Sequence, residues 1–298
     1  HNDVVSAFRS NINGKNLKYG AAYTPHLRKQ VSQTVNYRNW KDMLWLIDVK
    51  TSLRQLTTDS VLLEKLTQLE TAIATNHKSE KQKERELMEL FPAMKKIAEK
   101  LKWATLALPP SGAIAGVYCT MDRTRGVWKA PANVNLSYVS EVAYSVSDGE
   151  QDGLNVDAMS GKSINAIRPF TGRGIQVWGA RTLAGNDNEW RYVPVRRLFI
   201  MIEESVKKSV NRFVFEPNDA TTWMKIKAII ENYLLSIWRE GALTGNKPEQ
   251  AFYVKTGLGV TMTALDILEG RMIIEVGLAP VRPAEFIILK FSLKMVER

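Results

Sequence analysis

The chain ends in the stretch Arg282-Pro283-Ala284-Glu285-Phe286-Ile287-Ile288-Leu289-Lys290-Phe291-Ser292-Leu293-Lys294-Met295. From Ile287 to Met295 every second residue is apolar, and the residues between them are mixed, which is the period of a β-strand. A strand that a proline sets off at the end of a chain can join a sheet of its own molecule or a sheet of a neighbour. Pairing within the molecule is the commoner outcome, so the pattern alone favours it and leaves the other outcome open.

The sequence before this stretch alternates between helical and extended patterns, which predicts a mixed α and β fold. Apolar residues recur at helical spacing in the longer segments, and shorter β-prone runs lie between turn residues. The predicted helices are 4–11, 195–210 and 222–239, and the predicted strands are 17–23, 175–180, 213–215, 252–256 and 271–278.

Residues 30–105 differ from the rest, because they contain no glycine and a single proline, Pro92. Three runs of apolar residues at helical spacing, 40–56, 62–73 and 87–101, predict amphipathic helices here. Pro92 either begins a new helix or kinks the third one. Such helices are marginally stable alone in water, so they must pack against one another or against a larger body. We therefore interpret residues 30–105 as a helical insert.

The chain has 298 residues and a net charge of +10, from 41 basic and 31 acidic residues. Acidic residues are interleaved with the basic ones, as in residues 78–86, which is typical of a solvated helix face. A nucleic-acid surface would instead cluster basic and aromatic side chains, so no direct nucleic-acid contact is predicted. No apolar run approaches the roughly 18 residues of a membrane-spanning helix, so no membrane insertion is predicted.

The sequence does not contain the patterns that catalysis or cofactor binding usually requires. Its three histidines, His1, His26 and His77, have no metal-type spacing to one another or to the single cysteine. Residues 160–163 resemble the end of a phosphate-binding loop, but Val156 stands where that loop needs a glycine. We therefore expect no enzyme activity, no metal and no cofactor, and we expect a role in assembly. A hydrolase that uses His26 or His77 is the less favoured alternative.

A set of sequence blocks follows in a fixed order along the chain. The blocks are residues 19–23, 108–118, 122–133, 164–168, 172–183, 195–205, 215–218, 241–252 and 277–286, the last reading Gly-Leu-Ala-Pro-Val-Arg-Pro-Ala-Glu-Phe. Together they resemble the contractile tail sheath family of phage tails, R-type pyocins and phage-like extracellular contractile injection systems. Residues 30–105 interrupt the blocks without a counterpart. The extended N-terminal arm and the sizeable domain with which family members begin are expected to be missing.

The resemblance implies a two-domain α+β sheath core. Residues 1–190 would be the remainder of a domain that is subtilisin-like in fold and not a protease, and residues 191–298 would be the C-terminal sheath domain. Residues 285–298, the C-terminal arm, would exchange strands with a neighbouring subunit, so the resemblance favours pairing between molecules. The arm residues expected to contact the neighbour are Phe286, Ile287, Ile288, Leu289, Phe291 and Leu293.

The resemblance also implies a structural subunit that polymerises around an inner tube and drives it through a target envelope on contraction. The implied partners are other copies of the chain in stacked hexameric rings, the inner tube protein, and baseplate and terminator proteins. We expect no signal peptide, assembly in the cytoplasm and a final place in a virion or phage-tail-like particle. A non-contractile adaptor with a sheath-like fold is the alternative. The candidates for contact with the inner tube are Lys225, Lys227 and Arg239, on the predicted helix 222–239.

Overall fold

The computed structural model describes residues 2–30, 35–40, 52–102 and 105–285. The chain divides into two compact units. The first unit comprises His1–Thr24, Ser111–Leu136 and Val146–Arg298, and the second comprises Pro25–Pro110 and Ser137–Ser145. The predicted domain division at residue 190 lies inside the first unit and stays a prediction.

Helices and strands alternate along the described residues, which confirms the predicted mixed α and β class. The helices are α1 (Asn2–Asn11), α2 (Ser60–Ala74), α3 (Glu80–Leu90), α4 (Pro92–Lys102), α5 (Ser111–Arg125), α6 (Asp148–Asn155), α7 (Val193–Val210), α8 (Ala220–Arg239), α9 (Pro248–Ala251) and α10 (Ala264–Leu268). The strands are β1 (Ala22–Thr24), β2 (Leu27–Gln30), β3 (Thr105–Leu108), β4 (Val134–Asn135), β5 (Glu141–Val142), β6 (Ile164–Phe170), β7 (Gly174–Trp178), β8 (Phe252–Thr256) and β9 (Ile274–Leu278).

The first unit contains a four-stranded sheet in the order β1-β6-β7-β4. Strand β1 runs parallel to β6, with Ala22 opposite Ile164, and β6 and β7 form an antiparallel hairpin. Gly172 and Gly174 have φ angles of 73° and 78° at the turn of this hairpin, a conformation that glycine adopts without the steric penalty of other residues. The first four residues of β6 are buried, so this strand lies in the interior of the unit.

A buried amide on β6 joins this sheet to the segment that follows β7. Asn165 is 1% exposed. Its Oδ1 accepts a hydrogen bond from the backbone N–H of Arg181 at 2.7 Å, and its Nδ2 donates to the carbonyl oxygens of Arg181 at 2.8 Å and Ala22 at 3.0 Å. The segment can approach this closely because Gly179 has no side chain; a Cβ there would lie 2.7 Å from Asn165 Oδ1. Asn165 therefore fixes Arg181 to β1 and β6.

Helices α7 and α8 supply an apolar core of the first unit. Asp219 caps the start of α8, because its Oδ1 accepts a hydrogen bond from Thr222 N at 2.9 Å. The helix ends before Gly241, which has a φ of 83°. Its buried residues recur every three or four positions and pack against α7 and β8. The buried core residues are Leu198, Ile202, Ile226, Ile230, Leu234, Ile237, Ala242, Leu243, Ala251 and Val254.

The second unit contains a three-stranded sheet, in the order β3-β2-β5, and helices α2, α3 and α4. The two predicted helical runs in residues 62–101 are confirmed, and of the two alternatives for Pro92 the structure shows the start of a new helix, α4. Most of the run that begins at Trp40 lies outside the described residues. The buried core residues of this unit are Trp40, Leu53, Leu66, Leu69, Leu87, Phe91, Met94, Ile97 and Leu101.

Two short strands were predicted incorrectly. In residues 17–23, Leu17–Tyr19 forms a 3₁₀ turn, and the strand is Ala22–Thr24. In residues 213–215, the chain forms a 3₁₀ turn that ends at Phe213, and Phe215 is exposed with a φ of 73°. Three apolar residues in a row do not distinguish a strand from a turn, so tertiary contacts decide the outcome.

The predicted strand 271–278 begins later, at Ile274. Arg271 instead closes the end of α10, where its guanidinium pairs with Asp266 at 2.9 Å and Glu269 at 2.6 Å. The backbone N–H of Arg271 also donates to the carbonyl oxygen of Asp266 at 2.7 Å, so it is not available to a neighbouring strand. The other predicted elements of the first unit occur within a few residues of their expected bounds.

Leu234, which is fully buried in α8, provides a test of the α7–α8 core. Leu234→Ala should lower the free energy of unfolding by about 2–5 kcal/mol, because it removes buried methyl groups and leaves a cavity. Met224 on the same helix is 66% exposed, so Met224→Ala should change that free energy by less than about 0.5 kcal/mol. Urea denaturation followed by tryptophan fluorescence measures both, and equal losses would contradict the assigned core.

Asn165→Ala tests the junction between the sheet and Arg181. The variant leaves the N–H of Arg181 and the carbonyl of Ala22 without their buried partner, so the free energy of unfolding should fall by about 1–3 kcal/mol or more. Asn232→Ala, at an exposed position of α8, is the matched control and should stay within about 0.5 kcal/mol of the wild type. If both variants unfolded at the same urea concentration, the junction would have no special role.

Candidate assembly site at the root of the C-terminal arm

The C-terminal arm begins at Glu285, and an arginine that follows β7 holds this residue. Arg181 Nε and Nη2 donate to the two carboxylate oxygens of Glu285 at 2.9 and 2.6 Å. The side chain of Arg181 is 5% exposed and that of Glu285 is 18% exposed. Two parallel, charge-assisted hydrogen bonds fix geometry as well as adding energy. The position of the chain at Glu285 is therefore set by Arg181.

Further polar groups complete the surroundings of this ion pair. Arg181 Nη1 donates to the carbonyl oxygens of Asn155 and Gly185, both at 3.3 Å, and the Tyr192 hydroxyl donates to Glu285 Oε2 at 3.2 Å. The hydrogen bonds from Arg181 to Glu285 raise the pKa of Arg181 above its ordinary value. Burial, and after it the charge of Glu285, raises the pKa of Tyr192. At neutral pH the arginine is therefore a cation and the tyrosine a neutral donor.

A groove of about 370 Å³ opens beside the ion pair. Its walls come from α6, from the end of β7 and from residues 130–133 before β4, and Pro283 and Glu285 form part of one side. Along this segment Pro283 and Glu285 are half-buried, whereas Arg282 and Ala284 are exposed. This alternation indicates an extended segment that lies on the surface of its own unit.

Backbone hydrogen bonds tie the segment between β9 and the arm to the residues around α9. The N–H of Thr244 donates to the carbonyl of Ala279 at 2.8 Å, and the N–H of Ala279 donates to the carbonyl of Ala251 at 2.8 Å. The N–H of Val281 donates to the carbonyl of Ala242 at 3.1 Å. The chain that leads to Glu285 is thus attached at each of these points.

Strands β8 and β9 form a two-stranded antiparallel sheet, with Val254 opposite Val276. In the part of the chain that the structure describes, neither strand pairs along its length with a third strand. Their outer edges therefore present backbone groups that could pair with an additional strand.

The predicted inner-tube contacts all lie on α8. Lys225 and Arg239 are exposed, on the side of the helix away from its buried residues. Lys227 is half-buried, and its Nζ lies 3.8 Å from Glu231 Oε1. The structure therefore places Lys225 and Arg239 on a common solvent-facing side and Lys227 at its margin.

The predicted arm contacts lie outside the described residues. They are Phe286, Ile287, Ile288, Leu289, Phe291 and Leu293. The ion pair of Arg181 with Glu285 was missed by sequence reasoning. Both residues lie in the blocks that carried the resemblance, but they are 104 positions apart, and no spacing rule connects them.

The described ranges include the two histidines on which the hydrolase alternative rests. Within these ranges, no group of three or more His, Cys, Asp or Glu residues is placed to hold a metal ion. His26 is exposed, and His77 Nδ1 lies 2.7 Å from Ser79 Oγ in an exposed turn before α3. No helix among these residues is both long enough and apolar enough to cross a bilayer.

Comparison with known proteins relates the C-terminal part of the chain to tail sheaths. Residues 185–294 match the family of the phage tail sheath C-terminal domain. The chain is 27% identical over 155 residues to the tail sheath protein of Salmonella phage ViI and 26% identical over 130 residues to that of Enterobacteria phage T4. These matches cover 51% and 43% of this chain but 23% and 19% of the two phage proteins.

Solved sheath structures are more similar to the chain. The anti-feeding prophage (AFP) helical sheath in its contracted state is 53% identical, with a TM-score of 0.59, and the match covers 63% of this chain and 52% of that one. The PVC sheath complex of an extracellular contractile injection system, also contracted, is 50% identical, with a TM-score of 0.60 and coverage of 64% and 52%. The chain thus spans about half of the solved sheath chains and about a fifth of the phage proteins. Residues 185–294 thus resemble a phage tail sheath C-terminal domain, and the chain is similar to contractile sheath proteins of phages and of extracellular contractile injection systems.

Proposed function

We propose that this chain is a structural subunit of a contractile sheath, which polymerises around an inner tube and drives that tube through a target envelope on contraction. The strongest support is its 53% identity, over 63% of its length, to a protein solved as a contracted helical sheath. The proposed partners are further copies of the chain in stacked hexameric rings, the inner tube protein, and baseplate and terminator proteins. Assembly would take place in the cytoplasm, before the particle acts.

In the proposed sheath, the C-terminal arm of one subunit adds a strand to the small sheet of a neighbour. A sheet of two strands is marginally stable alone, and β8–β9 has outer edges that an extended segment can join through backbone hydrogen bonds. Each apolar arm side chain that becomes fully buried in this contact would contribute about 1.5–3 kcal/mol. The arm side chains concerned are Phe286, Ile287, Ile288, Leu289, Phe291 and Leu293.

Contraction in this proposal is a change between two packings of the subunits, with the strand-exchange tethers kept. Head-to-tail contacts that a screw operation repeats build an open tube. The free energy that drives contraction would be stored when the extended sheath assembles. The subunit would therefore perform no catalysis and need no nucleotide.

The contact with the inner tube must be weak enough to break when the sheath contracts. Exposed charges suit this requirement, because each contributes only about 0–1 kcal/mol. Lys225 and Arg239 share the solvent-facing side of α8 and are about 21 Å apart along it, at 1.5 Å per residue. They are the stronger candidates, and Lys227 is the weaker one because Glu231 already lies beside it.

Removing the arm tests strand exchange. A chain that is truncated after Glu285 keeps the ion pair with Arg181, so its unfolding midpoint in urea should match that of the intact chain. Electron microscopy of particle preparations should show no sheaths, because the tether is gone. Normal sheaths after truncation would contradict strand exchange, and discrete particles without tubes from the wild type would favour the adaptor alternative.

Paired variants within the arm refine this test. Leu289→Ser with Phe291→Ser removes apolar groups from one face of the predicted strand and should abolish sheaths. Lys290→Ser with Ser292→Ala changes the other face and should leave them. Equal effects of the two double variants would show that the arm does not act as a strand with one buried face.

Charge reversal tests the inner-tube contact. Lys225→Glu with Arg239→Glu should lower the fraction of tubes that carry an extended sheath, and raising the salt concentration from 0.1 to 0.5 M should lower that fraction in the wild type as well. Lys227→Gln should have a smaller effect. Unchanged tube occupancy in the double variant, counted by electron microscopy, would remove α8 from the inner-tube contact.

A further inference from the structure

The first residue of the C-terminal arm is held by side chains of its own unit. Glu285 accepts hydrogen bonds from two nitrogens of Arg181 and from the Tyr192 hydroxyl. The guanidinium is nearly inaccessible to water, at 5% exposure. A buried cation that loses its partner is costly, so the pair resists separation more than an exposed ion pair does.

The contacts of Glu285 lead directly into the four-stranded sheet. The side chain of Arg181 is hydrogen-bonded to Glu285. The backbone N–H and carbonyl of Arg181 both form hydrogen bonds with Asn165 of β6. Asn165 also binds the carbonyl of Ala22 in β1. A pull on Glu285 would therefore act on strands β1 and β6 of the sheet, through a short series of hydrogen bonds, and not on a surface loop.

Without this ion pair, the last hydrogen-bonded attachment of the chain to the body of its own unit would lie before Glu285. Moving back from Glu285 along the described residues, the next backbone hydrogen bond joins Val281 to Ala242. Release of Glu285 would therefore add four residues to the free part of the arm, or about 13 Å of extended chain at 3.3 Å per residue. A longer and looser tether lowers the effective concentration of the arm at its binding site.

We propose that Arg181 is a positioning residue for strand exchange, because it fixes the origin of the C-terminal arm and transmits the tension of the arm to the central sheet of its own subunit. This inference rests on the proposed function. According to this inference, an intact sheath requires Arg181, which lies outside the arm, and the contact of Arg181 with Glu285 within one subunit.

The test compares the stability of sheaths with the stability of subunits. Glu285→Gln removes the charge of the arm root while keeping its shape. Arg181→Gln with Glu285→Gln also removes the buried cation, so that the second variant folds even if the first does not. Both are made in the full sheath protein and compared in two urea titrations, one of assembled sheaths by electron microscopy and one of the soluble chain by fluorescence.

The matched control is Glu269→Gln. It removes a guanidinium–carboxylate pair of the same length, 2.6 Å between Arg271 Nη2 and Glu269 Oε2, but at an exposed site, where the two side chains are 56% and 46% accessible. Its sheaths should dissolve at the same urea concentration as wild-type sheaths.

For the double variant, we expect the number of intact sheaths at a fixed, intermediate urea concentration to fall about tenfold, while the unfolding midpoint of the soluble chain changes little. A fall of both midpoints by the same amount would overturn the inference, because Arg181 would then be only a structural residue. The inference would also be overturned if the sheaths of both variants resisted urea as well as wild-type sheaths do. In that case the proposed function would stand if truncation after Glu285 still abolished sheaths. If truncation left sheaths intact, strand exchange and the inference would fall together.

Discussion

The interaction that positions the arm root is a short series of hydrogen bonds, from Ala22 through Asn165 and Arg181 to Glu285, in which Asn165 and Arg181 are buried. It joins the N-terminal strand, the central strand and the start of the C-terminal arm. In a low-dielectric interior such groups are favourable only when all of them are paired. The position of the arm root therefore depends on the sheet, although the two come from distant parts of the sequence.

The sequence predicted the long, periodic elements well. Helices α7 and α8 lie within two residues of their expected bounds, because a stripe of apolar residues over several turns has a single good solution. The predictions failed at residues 17–23 and 213–215, where runs of three to seven residues carry too little periodicity. There, contacts with distant residues decide the backbone, such as the guanidinium of Arg196 against the ring of Tyr19.

The candidate site shows a different limit of sequence reasoning. The arm was predicted from its alternating pattern, and its family role from the order of the blocks. The partner of Glu285 could not be predicted, because the sequence holds 41 basic residues and charge alone does not select one of them. Selection comes from the fold, in which Gly179 lets Asn165 approach and thereby presents Arg181 at the root of the arm.

The structure also separates two kinds of contact that a contracting tube would need. A tether must outlast the movement of the bodies it connects, so its attachment within the subunit should be buried and charge-assisted, as at Arg181. A contact that must break on contraction should cost little to separate, as solvated charges such as Lys225 do. If the tether and the inner-tube contact were equally strong, contraction would either separate the subunits from one another or not begin. The difference in burial between the arm root and the exposed side of α8 therefore supports the proposed function.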